Sequence, residues 1–179
     1  MSTWGSRGLR GSQFEKLINQ TNEKYRELRL GLVQKIPTPI TPVEIDDNRH
    51  ITLAYFEQRS TVDYIGAVQG FPICFDAKEC HNDSFALSNV HEHQFLFMKD
   101  FEEQQGIAFL LINFTKKDKI YYMRFRELES FYNRAKNSGA KSVKISELHE
   151  ANFVGPRYGV QVHYLEGVNK DLKEEDRME

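Results

Sequence analysis

An almost purely apolar run, GIAFLLINF at residues 106–114, constrains the fold more than any other segment. A run of this length without polar alternation is typical of a strand buried inside a sheet. Three segments with helical spacing alternate with the predicted strands: residues 12–30, 90–105 and 126–136. Strands mixed with single helices predict an α/β fold, with a central mixed sheet flanked by helices.

Further strands are predicted on both sides of this run, at residues 31–36, 60–68, 72–79, 120–125 and 158–167. A length of 179 residues fits one domain better than two. We expect a flexible basic arm at residues 1–12, a single domain over 13–168 and a charged tail at 169–179.

The composition also bounds where the protein works. No apolar run approaches the roughly 18 residues that a membrane-spanning helix needs. The sequence has two cysteines, Cys74 and Cys80. A secreted domain of this size would usually carry more, so this small number fits a reducing compartment. We therefore expect a cytoplasmic protein with no membrane partner.

Residues 36–60 form the most unusual segment of the chain. Three prolines within residues 37–42 exclude a helix and disfavour a central strand. The polar turn DDNR at residues 46–49 separates two short strand patterns, which predicts a hairpin that projects from the body. As plain structure, such a hairpin would be an arm that completes a dimer.

A second hairpin places two acidic residues opposite each other. If residues 69–70 form its two-residue loop, antiparallel pairing puts Asp63 across from Asp76. The same register puts Thr61 across from Lys78, and alternation places all four side chains on one face of the sheet. Two carboxylates paired in this way repel each other unless a cation lies between them.

That pairing indicates metal-dependent chemistry. Mg²⁺ binds through one or two carboxylates and completes its shell with waters and phosphate oxygens. Lys78 beside the cation could support an attacking water or stabilise the charge that develops on a phosphate. The alternative is a surface hairpin with scattered charges, but Asp63 and Asp76 lie in otherwise apolar strands. We therefore predict the site of a metal-dependent phosphodiesterase.

Other residues suit metal binding less well. Cys80, His81, His91 and His93 are of the types that bind zinc. However, Cys80 and His81 are adjacent and point to opposite sides of a strand, and the sequence has no C-x2-C pair. His91 and His93 do not share a face of a helix, so we expect substrate contact or capping from them.

Charge is distributed unevenly along the chain. The net charge is −2, yet residues 116–144 carry nine Lys or Arg against three Asp or Glu. These basic side chains are candidates for a local basic face: Lys116, Lys117, Lys119, Arg124, Arg126, Arg134, Lys136, Lys141 and Lys144. The aromatic residues between them are expected in the core: Tyr121, Tyr122, Phe125, Phe131 and Tyr132.

Several motifs together resemble one family: RGSQFEKLINQTNEKY, KIPTPI, STVDYIG, FDAK and HEHQ, in that order. The chain is similar to the RecU-type Holliday junction resolvases of Gram-positive bacteria and their phages, which belong to the PD-(D/E)xK superfamily. The resemblance runs from about Gly11 to about Tyr164. It implies a restriction-endonuclease-like fold and a homodimer that cuts four-way DNA junctions by paired symmetric nicks in recombination and repair. It further implies Mg²⁺, which Mn²⁺ can replace, and a recombinase partner.

The resemblance also assigns roles to single residues. It places metal binding on four of them: Thr61, Asp63, Asp76 and Gln94. Lys78 becomes the lysine that stabilises the transition state, and it forms the catalytic set with Asp63 and Asp76. Glu15 falls on an acidic position that lies near the metal. One departure is that relatives usually have Glu-Ala-Lys where this chain has Asp76 followed by Ala and Lys, so the metal would lie closer to the strand.

For the projecting hairpin, the resemblance implies a stalk that enters the central opening of the junction. Side chains available there for phosphate contact or base stacking are Arg49, His50, Tyr55 and Arg59. The residues expected to bind DNA are Arg7, Arg10, Arg49 and Arg59. The nine basic side chains of residues 116–144 are further candidates for contact with the DNA backbone. Two other functions stay open: a related nuclease with a different preference among DNA structures, and a DNA-binding or recombinase-modulating module that has lost cleavage. The aspartate at position 76 is the only hint of lost cleavage.

Overall fold

The computed structural model describes residues 13–56 and 61–175. The predicted arm at residues 1–12 lies outside the described residues, and with it Arg7 and Arg10; Arg59 lies outside them as well. Within the described ranges, no helix has the length and apolar character that a membrane crossing requires.

Four helices and ten strands follow one another along the described chain. In order they are α1 (Gln13–Glu27), β1 (Leu32–Lys35), β2 (Ile40–Ile45), β3 (Ile51–Phe56), β4 (Tyr64–Val68), β5 (Phe71–Cys80), β6 (Ser84–Ala86), α2 (Glu92–Glu103), β7 (Ile107–Phe114), β8 (Lys119–Arg124), α3 (Phe125–Lys136), β9 (Ser142–Lys144), β10 (Phe153–Val154) and α4 (Leu165–Glu175). Short 3-10 helices lie at Leu87–Asn89, Ile145–Glu147 and Glu150–Asn152.

Six of the strands form one mixed sheet in the order β1-β4-β5-β7-β8-β10. The central pair, β5 and β7, is parallel, and the other neighbours are antiparallel. A parallel pair needs a crossover connection, and α2 lies within it. The apolar run that suggested a buried strand is β7, where Ala108, Leu110 and Ile112 are inaccessible to solvent.

Helices cover both faces of this sheet. On one face, Phe95 and Met98 of α2 and Leu128 of α3 pack into a single apolar cluster. On the other face, Phe14 and Ile18 of α1 form a second cluster with residues of the C-terminal segment. The predicted fold class, an α/β fold with a central mixed sheet flanked by helices, is confirmed.

The turn between β4 and β5 fixes the register of the central hairpin. Gln69 has φ 50° and Gly70 has φ 93°, so both residues adopt the left-handed conformation that a two-residue hairpin turn requires. Tyr64 pairs with Phe75 and Val68 with Phe71, as the predicted loop demands. This register brings Asp63 and Asp76 to the open end of the hairpin.

The projecting hairpin is also present. β2 and β3 form a separate two-stranded sheet, and almost all of their side chains are exposed. Asp46 Oδ1 accepts hydrogen bonds from the backbone N–H groups of Asn48 and His50, and Arg49 has φ 65°, which closes the turn. The predicted position of this turn is confirmed.

The C-terminal region differs from its prediction. The strand expected at residues 158–167 is wrong: the segment makes one isolated bridge, Arg157 with Val160, before α4 begins. Its alternating apolar residues pack onto α1 and the sheet face instead of pairing at a sheet edge, and the Val162 N–H donates to Thr21 Oγ1. The boundary predicted at residue 168 lies inside α4, where Asp171 is buried.

Candidate active site

The site lies at the open end of the β4–β5 hairpin, where two aspartates hold each other through the backbone. The Asp63 N–H donates a hydrogen bond to Asp76 Oδ1 with a donor–acceptor distance of 3.0 Å. The Ala77 N–H donates a hydrogen bond to Asp63 Oδ2 at 2.9 Å. Each carboxylate is therefore fixed by the strand opposite, which sets both side chains without help from solvent.

The two carboxylates shift each other's chemistry. Asp76 is fully buried and Asp63 is half-buried. Burial, followed by the charge of Asp76 and a hydrogen bond with it, raises the pKa of Asp63 to about 7, against the opposing effects of the Ala77 N–H and Lys78. The metal-free pair therefore keeps a proton up to near-neutral pH, because two adjacent buried carboxylates resist ionising together.

One carboxylate oxygen is left for a cation. Asp76 Oδ2 is buried and has no hydrogen-bond partner within the described ranges. Lys78 Nζ lies 2.5 Å from this oxygen as an ion pair. A buried oxygen in this state fits a hard divalent cation, which binds carboxylate oxygens.

Gln94 completes the group from α2. It is buried, and its Oε1 accepts hydrogen bonds from the His91 N–H at 3.1 Å and from Lys78 Nζ at 3.3 Å. The structure thus brings together four of the predicted residues: Asp63, Asp76, Lys78 and Gln94. The sequence analysis did not foresee that Gln94 closes the first turn of α2, although a glutamine three residues after an N-cap residue is a recognisable signal.

Thr61 does not take its predicted place. The β4–β5 ladder ends at Tyr64 and Phe75, so the expected pairing of Thr61 with Lys78 is absent. The reason is local, since the Asp63 N–H donates to a side chain and Asp63 O accepts from the Ile36 N–H at 2.8 Å. Thr61 is half-buried two residues before Asp63.

Glu15 lies on α1, where its Oε2 is 2.6 Å from Lys35 Nζ at the end of β1. Tyr64 links this edge to the aspartates: burial raises its pKa, and the charges of Glu15, Asp63 and Asp76 raise it further. Glu15 therefore belongs to the electrostatic surroundings of the pair. Lys35, which the sequence analysis did not single out, is the residue that pairs with it.

The alternative metal ligands do not assemble. The rings of His91 and His93 stack with centroids 5.5 Å apart, so the expectation that they share no face is wrong: His91 is the N-cap residue of α2 and lies outside the helix. Cys80 Sγ contacts the backbone oxygens of Asn82 and Ser84. Within residues 13–56 and 61–175, no three His, Cys, Asp or Glu side chains lie together as a metal-binding group. At the hairpin, waters and phosphate oxygens would have to complete the shell around the two aspartates.

A family comparison matches nearly the whole chain. The model of the RecU family, described as "Recombination protein U", matches residues 9–170. The chain belongs to the RecU family. A Holliday junction resolvase RecU from Staphylococcus carnosus is 37% identical over 174 residues, which cover 94% of this chain and 84% of that protein. Another, from Oceanobacillus iheyensis, is 40% identical and covers 90% of this chain and 85% of that protein.

Among solved structures, Archaeoglobus fulgidus Hjc, a Holliday junction resolvase, aligns with a TM-score of 0.40 at 4% identity. The alignment covers 64% of this RecU chain and 75% of that one.

The basic stretch of this RecU chain is largely committed to internal contacts. Arg124 is buried and ion-paired with Glu174 and Asp171 of α4. Further pairs join Arg126 to Asp171, Arg134 to Glu147, Lys119 to Glu150 and Lys117 to Asp83. The expectation that Arg124 contacts DNA is therefore wrong. The exposed basic residues of this stretch are Lys116, Lys117, Lys119, Lys136, Lys141 and Lys144, of which Lys117 and Lys119 are the two paired above.

Proposed function

We propose that this chain is a metal-dependent endonuclease that resolves four-way DNA junctions by paired symmetric nicks, in recombination and repair. The observation that carries the chemistry is the pair of aspartates, Asp63 and Asp76, clamped across one hairpin with Lys78 beside them. Membership of the RecU family, whose relatives are named Holliday junction resolvases, supports the choice of substrate.

The ligands of the metal come from the hairpin and α2. Asp63 and Asp76 would hold Mg²⁺, or Mn²⁺ in its place, and oxygens of Thr61 and Gln94 would complete or orient the site. When bound, the metal polarises the phosphate and lowers the pKa of the attacking water.

Lys78 supplies the positive charge that the reaction needs as it proceeds. Negative charge develops on the phosphate oxygens during attack, and an ammonium fixed beside them stabilises that charge. The backbone of β5 fixes where the Lys78 side chain starts, because Asp76 and Lys78 lie on the same face of the strand. Glu15 contributes to the negative potential near the metal and is itself held by Lys35.

The projecting hairpin serves assembly and recognition. Large apolar side chains on β2 and β3 are exposed, among them Ile45 at 60%, Leu53 at 49% and Phe56 at 73%. Exposed apolar groups in this number mark an interaction surface. We assign the hairpin to a homodimer whose two-fold axis matches the symmetry of the junction and places two sites on opposed strands.

DNA contact is assigned to four arginines: Arg7, Arg10, Arg49 and Arg59. Arg49 is exposed at the tip of the projecting hairpin, where it can reach phosphates in the opening of a four-way junction. A recombinase partner and a cytoplasmic location follow from the same role, since junctions arise where recombinases work.

A nicking assay tests the function. A labelled four-way junction and a linear duplex of the same sequence are incubated with protein in Mg²⁺, with and without a chelator. We expect symmetric nicks in the junction alone, no product with the chelator, and no nicking by Asp63→Asn, which still binds the junction. Asp100→Asn, which changes an exposed aspartate on α2, serves as the matched control and keeps full activity.

The assay also decides between this proposal and its rivals. Equal cutting of duplex and junction would indicate a nuclease with another preference. Junction binding without nicks from the wild-type protein, in Mg²⁺ and in Mn²⁺, would indicate a binding module that has lost cleavage. Full nicking by Asp63→Asn would contradict the assignment of the site.

A further inference from the structure

The ammonium of Lys78 lies between two oxygens of the proposed metal site. Its Nζ is 2.5 Å from Asp76 Oδ2 and 3.3 Å from Gln94 Oε1. Asp76 is fully buried and Gln94 is 7% exposed, while the Lys78 side chain is 18% exposed. A positive charge of the protein itself therefore occupies this part of the site.

The remaining bonding capacity of both oxygens is limited. Gln94 Oε1 has two lone pairs, and the His91 N–H and Lys78 Nζ take both. On Asp76, Oδ1 already accepts the Asp63 N–H, so Oδ2 is the oxygen left for a cation, and it faces Lys78. While the ammonium keeps its place, Gln94 Oε1 has no lone pair left for a metal ion, and any metal at Asp76 Oδ2 would lie beside a positive charge.

Two cations cannot share this position. Mg²⁺ requires oxygens at about 2.0–2.1 Å, which would bring it within a few ångströms of an ammonium held at the same atoms. Like charges at that separation repel strongly in a partly dry site. On the other side, Asp76 cannot be left without a cation, since an unpaired buried carboxylate is costly.

We propose that Lys78 and the metal are alternative occupants of Asp76 Oδ2 and Gln94 Oε1, so that metal loading releases the ammonium for work on the phosphate. The inference rests on the proposed function. In the metal-free protein, Lys78 neutralises Asp76, and Gln94 positions that lysine while it closes the first turn of α2. The lysine is therefore held away from the reaction until the metal is in place.

Metal binding without DNA tests this exchange. Mn²⁺ is titrated calorimetrically into wild-type protein, Lys78→Met and Lys35→Met, and melting temperatures are recorded with and without the ion. Lys35→Met is the matched control, because it removes the same charge near the site from a lysine that pairs with Glu15. We expect metal-free Lys78→Met to melt at a lower temperature than wild type. Addition of Mn²⁺ should raise its melting temperature by more than it raises that of wild type. Its affinity for Mn²⁺ rises by about tenfold or more, since no ammonium has to be displaced.

The Lys35→Met control separates displacement of the Lys78 ammonium from the mere loss of one nearby positive charge. Loss of one nearby charge alone, as in Lys35→Met, changes the affinity for Mn²⁺ by less than about threefold, because an exposed charge is screened by solvent. Equal affinities of Lys78→Met and wild type, or equal gains for the two lysine variants, would overturn the proposal and leave the proposed function standing. Absence of Mn²⁺ binding by the wild type would remove the metal site itself.

A second measurement avoids the variant, in case Lys78→Met does not fold. The ¹⁵N-labelled ammonium of Lys78 is followed by NMR in the wild-type protein as Mg²⁺ is added. We expect its signal to shift and its hydrogens to exchange faster with water as the contacts to Asp76 and Gln94 are lost. An unchanged signal at saturating Mg²⁺ would overturn the proposal.

Discussion

Two antiparallel hairpins of the described chain, β2–β3 and β4–β5, are built from the same kind of element and differ in burial. In β4–β5, Tyr64, Ile73 and Phe75 are inaccessible to solvent, and the ladder is regular. In β2–β3, Phe56 is 73% exposed, and the register shifts near Pro42. Burial fixes the side chains of β4–β5 in one arrangement, while most side chains of β2–β3 face solvent.

Removal of one positive charge from each hairpin should separate the two roles most strongly. We expect Lys78→Ala to lower the nicking rate at saturating junction and metal by about 10²–10³-fold, as for loss of one group that stabilises developing charge. Arg49→Ala should leave this rate at saturation unchanged and weaken junction affinity by less than about tenfold. Single-turnover rates and binding titrations on the same preparations measure both effects. Similar losses of rate at saturation would abolish the distinction between the hairpins.

A shorter projecting hairpin, β2–β3, sharpens the comparison. Ile45 and Ile51 are paired, so the loop at residues 46–50 can be replaced by Asn-Gly, which closes a two-residue turn. We expect junction affinity to fall by about tenfold, while duplex affinity, which rests on phosphate contacts elsewhere, stays the same with its steep salt dependence. Titrations of both DNAs at two salt concentrations measure this.

The folded state of that variant provides the control. Its melting temperature should change by less than about 3 °C, because few core contacts are lost. Equal losses on junction and duplex would mean that the hairpin supplies only generic charge. A monomeric or unfolded product would mean that its role is structural.

The smallest expected effect is the pH dependence of the melting temperature, which arises at the β4–β5 hairpin. Burial and Asp76 raise the pKa of Asp63 from 3.8 to about 7, so the folded state favours the protonated carboxyl. The stability that this group contributes is complete below pH 3.8 and is lost as pH rises through about 7. The side chain of Asp63→Asn cannot ionise, so the melting temperature of this variant relative to metal-free wild type should rise by about 5–10 °C between pH 5 and pH 8.

Thermal melts in a chelator at the two pH values test this prediction. Asp100→Asn, from an exposed position, should show no such gain between pH 5 and pH 8. A gain of the same size at both pH values would show that the amide stabilises the pair by hydrogen bonding and not by its lack of charge.

Local signals explain why the β4–β5 hairpin could be predicted. Its register follows from two adjacent residues, Gln69 and Gly70, that accept the left-handed turn, and from the apolar strands on either side. Once the register is known, the meeting of Asp63 and Asp76 needs no further information. The projecting hairpin is similar, because its prolines and polar turn act within a few residues.

Contacts between distant parts of the chain could not be predicted in this way. Arg124 and Glu174 are fifty residues apart in sequence, and no local pattern indicates that they form an ion pair. The alternation of Val160, Val162 and Tyr164 suggested a strand, yet packing on α1 satisfies it without strand pairing. Gln94 lacked a visible partner in sequence because its position depends on where α2 begins relative to β5.

The central claim is that Asp63 and Asp76 together hold the metal that the cleavage requires. Crystals soaked in Mn²⁺ and measured at the manganese absorption edge give the most direct test, since the anomalous signal locates the ion without assumptions. The account predicts a peak in contact with oxygens of both aspartates, at about 2.0–2.3 Å, and no such peak in Asp76→Asn. A protein that nicks junctions in Mn²⁺ while its only anomalous peak lies away from this pair would contradict the account.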